Sequence, residues 1–147
     1  MKKVMMLIMV AACMAACGGA AEKKEAGSGS AESGGTGAGN PSYDPEKGEG
    51  KFSDVVIPAT IDQAMVATGE KIYQVKCNSC HKLSGEKLVG PGWQGVTSRH
   101  TAPWILNFVT NTDAMLDKDP KAQAQLEICL VRMPNQNLSD DEARALY

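Results

Sequence analysis

The eight residues KCNSCHKL, at positions 76–83, constrain this chain of 147 residues more than any other stretch. Cys77 and Cys80 are separated by two residues, and His81 directly follows the second cysteine. Two neighbouring thiols can form a redox pair or contribute half of a zinc site. The histidine directly after them favours a third chemistry, in which both thiols add across the vinyl groups of a haem and the imidazole ligates its iron. The motif therefore predicts covalent haem attachment.

The two other uses of this cysteine pair fit the chain less well. A thioredoxin-type thiol pair usually begins a helix within a βαβ unit, and the sequence shows no such alternation of strands and helices. A zinc site needs four ligands, and Cys77, Cys80 and His81 have no matching second half elsewhere in the chain. The thiol and zinc interpretations therefore stay as weak alternatives.

The first residues are typical of an exported protein. Two lysines precede an apolar run at 4–12, which is too short for a permanent membrane-spanning helix and predicts a signal peptide over residues 1–16. Two lipobox-like endings close at Cys13 and Cys17, and the second leaves a more usual apolar length and is followed by two glycines. We expect lipidation of Cys17, with ordinary signal cleavage and an unmodified thiol as the alternative.

Residues 17–50 have the composition of a flexible tether. Ten of the fifteen glycines fall there, mixed with Ala, Ser, Glu and Lys, and no apolar periodicity offers a core. Such a segment cannot offset the entropy cost of folding. We therefore expect a lipidated tether at 17–50 that leads to one folded domain at 51–147.

The folded part shows helix signals and no convincing strand. The segment MVATGEKIYQVKC places apolar residues at near-helical spacing and runs into the cysteine motif. Thr101 and Asp119 are N-cap candidates, each followed by a proline in the first helical turn, and Ser139 forms a capping box with Glu142. On the helix after Thr101, the expected buried face is Trp104, Ile105, Phe108 and Val109. The pattern predicts a small all-α domain, whose thin core gains apolar surface from the haem.

The cysteine count limits the possible disulfides. The chain has five cysteines. Cys13 leaves with the signal peptide, Cys17 is expected to carry lipid, and two others carry haem. Cys129 then has no partner, and we interpret it as a small buried residue, which is the usual state of a free cysteine.

An iron held by His81 needs a second axial ligand, and the chain offers Met65, Met115, Met133 and His100. Met65 lies in the helix that leads into the motif, where its side chain has the wrong reach. Met133 precedes Pro134 and a loop that ends at the cap of the last helix, so its thioether can be held at the iron without an intervening helix backbone. Met115 lies in the polar stretch TNTDAMLDKD, which is compatible with a loop, and is a weaker candidate. His100 is the remaining alternative and would give a bis-histidine haem. We predict that Met133 is the ligand.

Three stretches in this order, GEKIYQVKCNSCH, VGPGWQG and RMPNQNLSDDEARALY, resemble the class I c-type cytochromes. These are small all-α electron carriers whose short helices pack around one covalent haem c. The resemblance runs over about residues 69–147. It implies that Cys77 and Cys80 are the thioether anchors, His81 is the proximal iron ligand and Met133 is the distal ligand.

The resemblance also implies roles for residues around the haem. The Pro91 carbonyl is expected to accept the other ring N–H of the ligating histidine, which fixes the tautomer and makes the imidazole a better donor. Gly69 and Tyr73 match the positions where the first helix packs against the last. Trp93 departs from the family, which usually has a smaller apolar residue there. The stretch 104–129 is longer than in the smallest members and predicts an added helix.

The resemblance implies one-electron transfer and no enzymatic activity. Histidine and methionine leave no open site on the iron, and methionine raises the potential relative to a bis-histidine haem. We expect a lipid-anchored monomer on the periplasmic side of a bacterial membrane. Its partners would be redox proteins, such as a terminal oxidase, a periplasmic reductase or a peroxidase, and no nucleic acid. The alternative is a haem-based sensor or a peroxidase-type cytochrome, which requires Met133 to leave the iron.

Several side chains near the motifs have two possible roles. Asn135 and Asn137 either tune the potential near the methionine sulfur or serve as turn residues. Arg99, His100 and Trp104 are candidates for contacts with the haem propionates, with core packing as the alternative for the indole. Five cations near the motifs either steer an acidic partner or form an ordinary solvated surface. These cations are Lys76, Lys82, Lys87, Arg99 and Arg132.

Overall fold

The computed structural model describes residues 42–147. The predicted signal peptide (1–16), Cys17 and the tether as far as residue 41 lie outside the described residues. The helices are α1 (Gln63–Ile72), α2 (Val96–Arg99), α3 (Ala102–Thr110), α4 (Thr112–Lys118), α5 (Pro120–Cys129) and α6 (Asp140–Leu146). No β-strand occurs in this part of the chain, which contains one isolated antiparallel bridge between His81 and Lys87. The all-α prediction is confirmed.

Within the described range, none of the helices has the length and apolar character needed to cross a membrane.

Side-chain caps begin four of the helices. Thr101 begins α3 and Asp119 begins α5, as the sequence predicts, and each side chain accepts a hydrogen bond from a backbone N–H of the first turn, at 3.3 and 2.7 Å. Ser139 begins α6 and forms the predicted capping box with Glu142, at 3.2 and 2.8 Å. The Ser139 backbone N–H also holds the pKa of the Glu142 carboxyl below its ordinary value. The Asp62 side chain is the N-cap of α1, where it also accepts hydrogen bonds from backbone N–H groups of the first turn.

α1 continues into a wider, π-helical turn at Tyr73–Cys77. The Asn78 N–H donates to the Tyr73 carbonyl, five residues back, at 3.0 Å. π-Helical turns are rare in proteins, but those that occur often lie at functional sites. Here the turn ends at the first cysteine of the motif, so α1 leads directly into the candidate site.

α1 crosses α6 at Gly69, as the resemblance implies. A Cβ at this position would overlap the carbonyl of Ala145, so a glycine is needed for this close approach of the two helices. Tyr73, one turn further on, packs its ring against Trp93 with 5.3 Å between the ring centroids. Its hydroxyl donates to the His81 carbonyl at 2.8 Å, which ties α1 to the motif.

α3 lies at the centre of the domain. Its side chains join two buried apolar clusters, which consist of Phe52, Ile72, Leu106, Val109, Leu138 and Ala143, and of Trp104, Met115, Leu116 and Ala122. Leu106 and Asn107 are fully buried. Of the predicted buried face, Trp104 and Val109 are buried, whereas Ile105 and Phe108 are half-buried, pack against these clusters and also line a cavity. The helix is therefore covered on more sides than its apolar pattern predicts.

The domain begins earlier than the predicted residue 51. Residues 43–50, here called the strap, pack against α3, α4 and α5. The Asn107 amide donates to the carbonyls of Lys47 and Phe52 at 2.9 Å each and accepts the Phe52 N–H at 2.9 Å. The predicted tether at 17–50 therefore ends before the strap, because a buried side chain of α3 holds the strap backbone in place.

Further hydrogen bonds fix both ends of the strap. The Tyr43 hydroxyl donates to Asp119, whose carboxylate is fully buried. The Asn111 amide donates to the Glu49 carbonyl at 3.0 Å. Burial and the neighbouring Asp119 carboxylate raise the pKa of Tyr43 above its ordinary value. The strap therefore belongs to the folded domain and is held there by hydrogen bonds.

Candidate haem site

The motif CNSCH forms one tight turn after α1. The N–H groups of Cys80 and His81 both donate to the Cys77 carbonyl, at 3.0 and 2.9 Å. The following loop returns to this turn, where the N–H groups of Val89 and Gly90 donate to the Cys80 carbonyl at 3.2 and 2.8 Å. Cys77 is buried and Cys80 is partly exposed. One short segment therefore presents both thiols and the imidazole.

The His81 imidazole is fixed in orientation and in tautomer. Its Nδ1 lies 2.9 Å from the Pro91 carbonyl. Because a carbonyl only accepts, Nδ1 carries the hydrogen and Nε2 keeps the lone pair that can bind a metal. A Cβ on Gly90 would overlap the imidazole, so the loop backbone lies directly against the ring. The structure brings His81 and Pro91 together as the resemblance implies.

Two neighbouring cavities meet at His81. The larger has a volume of about 300 Å³ and the smaller about 70 Å³. Both are lined by His81, Pro91, Phe108, Gln125 and Met133. Cys80 lines the smaller cavity, and Trp93 and Ile105 line the larger. Largely apolar cavities with a few polar groups are typical of cofactor sites.

The structure separates the two methionine candidates. Met133, in the loop between α5 and α6, lines both cavities together with His81. Met115, predicted in a loop, instead lies in α4 and is fully buried. Its sulfur accepts the Glu49 N–H at 2.9 Å and it lines neither of these cavities. Met115 therefore belongs to the strap side of the core, and Met133 shares the cavities with His81.

His100 and Trp104 line the larger cavity, but their polar atoms are largely used elsewhere. The Trp104 indole N–H donates to Asp119 at 3.0 Å, so the expected contact of this N–H with a haem propionate is not supported. His100 Nε2 lies 3.1 Å from the Gln125 amide nitrogen, which donates, so this ring nitrogen accepts. The two rings stack at 4.0 Å. Burial and neighbouring cations lower the pKa of His100, and its Nδ1 is buried without a hydrogen-bond partner.

Arg99 supports the loop that orients His81. Its guanidinium donates to the Gln94 carbonyl at 2.6 Å and to the Gly92 carbonyl at 3.2 Å. Both carbonyls follow Pro91 closely, so Arg99 stabilises the segment whose carbonyl fixes the imidazole. This role is not predictable from the sequence, because α2 has four residues and is too short to show a helical period.

The thiol and zinc interpretations of the cysteine pair lack structural support. Burial raises the pKa of the Cys77 thiol, whereas a redox-active cysteine needs a lowered pKa. In the part of the chain that the structure describes, no three His, Cys, Asp or Glu side chains are grouped to hold a metal ion. Cys129, predicted to be buried, is partly exposed and lines the smaller cavity.

The family comparison identifies the domain. The model of the cytochrome c family matches residues 66–147, which is more than half of the chain. The chain belongs to the cytochrome c family. Among curated proteins, no sequence matches it significantly.

Solved cytochromes have the same fold. A cytochrome c from Rhodothermus marinus shares 29% sequence identity at a TM-score of 0.63, over 66% of this chain and 83% of that chain. An engineered cytochrome c from the same organism, Rma TDE, shares 28% identity at a TM-score of 0.65, over 70% of this chain and 91% of that chain. The same engineered protein bound to a carbene intermediate shares 28% identity at a TM-score of 0.62, over 70% and 91% of the two chains. These neighbours place the chain among the class I cytochromes c.

As a cytochrome c, the chain binds haem c covalently and has electron transfer as its general function. The residues at the site fit this cofactor. The Pro91 contact leaves His81 Nε2 with its lone pair, and the backbone at Gly90 lies directly against the imidazole. Ile105 and Phe108 supply apolar walls to the adjoining cavity.

Proposed function

We propose that this cytochrome c is a one-electron carrier whose haem is attached through Cys77 and Cys80 and whose iron is held between His81 and Met133. The observation that carries the proposal is that His81 and Met133 line the same two cavities, with the Pro91 carbonyl at 2.9 Å from His81 Nδ1. The haem supplies the one-electron redox chemistry. His81 and Met133, from two separate segments, would hold the iron through an imidazole and a thioether.

The side chains around the site set its redox properties. The Pro91 carbonyl makes the His81 imidazole a better donor, because it accepts the hydrogen on the opposite ring nitrogen. A thioether ligand from Met133 raises the potential relative to a second imidazole. Ile105 and Phe108 give the cavity apolar walls. With His81 and Met133 both holding the iron, no ligand position would be left for a substrate, which suits an electron carrier.

A second candidate function is a haem-based sensor or a peroxidase-type cytochrome, in which Met133 leaves the iron. The observation that favours it is that residues 132–139 form no helix or strand. An engineered relative is described as bound to a carbene intermediate, so proteins of this family admit other ligands after engineering. Against it, Lys76 donates to the Gln136 carbonyl at 3.3 Å, and Arg132 pairs with Asp117 at 2.8 Å. These bonds hold the loop on both sides of Met133, at its first residue and near its middle.

The experiment that tests the proposed function replaces each methionine candidate with leucine in the holoprotein. Leucine keeps a similar volume but cannot ligate iron. Met133→Leu should abolish the methionine-to-iron charge-transfer band of the oxidised protein, lower the reduction potential and allow carbon monoxide to bind.

Met115→Leu is the matched control, because its sulfur contacts the strap. It should leave the band, the potential and the carbon monoxide affinity nearly unchanged. The opposite result for the two variants makes Met115 the ligand. If neither variant alters the spectrum, His100 becomes the ligand, and a lower potential is expected. Carbon monoxide binding by the unaltered protein favours the sensor or peroxidase alternative.

We also propose that the cytochrome works on the periplasmic side of a bacterial membrane, as a monomer anchored through a lipid on Cys17. The support is the lipobox-like ending at this cysteine and the glycine-rich stretch that follows. Its proposed partners are redox proteins, such as a terminal oxidase or a periplasmic reductase. Cys17→Ser should release a soluble protein with an unchanged haem spectrum. Protein that stays in the membrane fraction after this change shows that the apolar segment is an uncleaved anchor.

A further inference from the structure

One buried carboxylate joins a tyrosine and a tryptophan. Asp119 is fully buried, and its Oδ2 accepts hydrogen bonds from the Tyr43 hydroxyl and from the Trp104 indole N–H, the latter at 3.0 Å. Its Oδ1 accepts the Ala122 N–H at 2.7 Å. All three partners donate, which suits the ionised carboxylate, an acceptor of hydrogen bonds only. A buried base therefore lies in hydrogen-bond contact with two oxidisable side chains.

The two aromatic side chains on this carboxylate differ in their surroundings. Trp104 is 4% exposed and lines the larger cavity, where its ring stacks on those of His100 and Phe108 with centroid distances of 4.0 and 5.2 Å. Tyr43 is the first residue of the strap and is half-buried. Asp119 therefore connects the wall of the haem cavity to a tyrosine that reaches the surface.

Tyr43 differs from the other two of the three tyrosines in the chain. The Tyr73 hydroxyl donates to the His81 carbonyl at 2.8 Å, and a backbone carbonyl does not take up a proton at neutral pH. Among the described residues, the Tyr147 hydroxyl has no hydrogen-bond partner. Tyr43 is therefore the tyrosine whose hydroxyl proton can pass directly to a neighbouring base.

The phenol of Tyr43 keeps its proton until the ring is oxidised. Burial and the neighbouring Asp119 carboxylate raise its pKa, so it is neutral at physiological pH. Loss of an electron turns a phenol into a strong acid, and the carboxylate in contact with the hydroxyl then accepts the proton. The contact thus favours oxidation of Tyr43 in which the electron and the proton leave together.

We propose that Tyr43, Asp119 and Trp104 form a redox-active triad that reduces a strong one-electron oxidant derived from a peroxide. The oxidant takes one electron from the Trp104 indole, and the buried carboxylate stabilises the positive charge that forms there, because charges interact strongly away from water. Tyr43 then returns one electron to Trp104. In the same step its phenolic O–H bond breaks and the proton bonds to Asp119. The products are the oxidant with one more electron, a neutral tyrosyl radical and a protonated Asp119.

This activity goes beyond electron transfer between proteins, since it protects the haem cavity. Met133 and Trp104 line the same cavity, and oxidation converts a methionine thioether into a polar sulfoxide. The triad moves the missing electron from this cavity to the strap. There the half-buried Tyr43 is accessible to soluble reductants, which restore it.

Photochemical oxidation of the holoprotein tests the triad. A ruthenium polypyridyl complex, oxidised by a light flash, supplies the one-electron oxidant, and electron paramagnetic resonance of freeze-quenched samples identifies the radical. All proteins carry Tyr147→Phe, which removes a tyrosine that is 37% exposed and that the complex can reach directly. The parent and its Tyr73→Phe variant should show a tyrosyl radical. Tyr43→Phe should lose this signal and show a tryptophan radical instead. A tyrosyl signal that survives in Tyr43→Phe overturns the proposal.

The destination of the proton separates the triad from a merely structural contact. In the parent, the rate of tyrosyl formation should not depend on buffer concentration, because Asp119 takes the proton. Asp119→Asn keeps a good N-cap but removes the base, and should slow this step about a hundredfold, the usual contribution of a positioned general base. The remaining rate should rise with buffer concentration. If the rate in the parent already rises with buffer concentration, the proton goes to solvent and the proposal is wrong, whether or not Asp119→Asn folds.

Hydrogen peroxide tests the connection to the haem cavity. Under peroxide, Tyr43→Phe should lose its haem absorbance faster than the unaltered holoprotein, because the electron vacancy then stays at the cavity. Tyr147→Phe is the matched control, since it removes a tyrosine hydroxyl from a residue that lines the larger cavity, and it should bleach at the unaltered rate. Equal bleaching of all three proteins would show that the triad draws no oxidising equivalents from the cavity, and would overturn its protective role.

Discussion

The two sides of α3 are stabilised by different means. Toward the haem site, Ile105 and Phe108 supply apolar walls to a cavity that the cofactor would occupy. Toward the strap, the fully buried Asn107 makes three hydrogen bonds of 2.9 Å with Lys47 and Phe52. One side of the domain therefore depends on the cofactor, and the other on polar bonds that the chain makes by itself.

This difference predicts that the loss of the haem and the loss of a strap hydrogen bond affect folding in different ways. Apolar contacts with a cofactor are non-directional, and they contribute to stability only when the cofactor is present. Buried hydrogen bonds are directional, and the loss of one partner leaves the other buried without a bond. Loss of the haem should therefore prevent assembly of the domain. Loss of a polar bond at the strap should lower stability but leave the haem site intact.

The largest effect is expected when haem attachment is removed. In a host with haem-attachment machinery, Cys77→Ala/Cys80→Ala should give unfolded or degraded protein, because a group that binds only the folded state adds its binding free energy to stability. Yield and the helical circular dichroism signal measure this. Cys129→Ala, which also changes a cysteine at the smaller cavity, should keep the haem and the helices. A stable, colourless, helical double variant would show that the domain does not depend on its cofactor.

The haem side of α3 is predictable from sequence because its information is local. The motif fixes Cys77, Cys80 and His81 within five residues, and the caps at Thr101 and Ser139 fix where the flanking helices begin. Each of these signals is read within a few residues of chain. The cofactor and the all-α fold then follow from the same short segments.

The strap side is not predictable because its bonds join residues far apart in the chain. The strap shares its composition with the tether before it, and Asn107 binds it from 60 residues away. The polar stretch around Met115 also resembles a loop, yet it forms α4 with Met115 fully buried. Its N-cap residue, Asn111, makes no side-chain capping bond, so the local signal for this helix is weak. No local pattern indicates that single polar side chains hold the strap in place.

The next effect in size is expected at Asn107. Asn107→Ala removes three hydrogen bonds and should lower the free energy of unfolding of the holoprotein by about 3 kcal/mol, since each is worth about 1 kcal/mol. Denaturant titration measures this, and the haem spectrum should stay unchanged. Asn111→Ala is the matched control, because it removes one bond to Glu49, at a cost of about 1 kcal/mol. Equal losses for the two variants would contradict the special role of Asn107.

The smallest effect is expected at Tyr43. Tyr43→Phe removes the hydroxyl that donates to Asp119 and should lower the free energy of unfolding at neutral pH by about 1 kcal/mol. The loss is limited because Asp119 still accepts from the Trp104 indole at 3.0 Å and from the Ala122 N–H at 2.7 Å. The strap should therefore stay in place in this variant, with the haem spectrum unchanged.

The pH dependence of that loss tests the burial of Tyr43 in a way that stability at one pH does not. Its folded-state pKa is raised by burial and by Asp119, so above the ordinary tyrosine pKa of about 10 the folded state binds more protons than the unfolded state. The contribution of Tyr43 to stability is therefore complete below about pH 10 and decreases as the pH rises above it. The difference between unaltered protein and Tyr43→Phe should shrink over the same range. Tyr147→Phe, at a residue that is 37% exposed, is the control and should change stability little. A Tyr43→Phe difference that stays constant through pH 11 would mean that the Tyr43 hydroxyl is solvated, and that the strap is held by Asn107 and Asn111 without it.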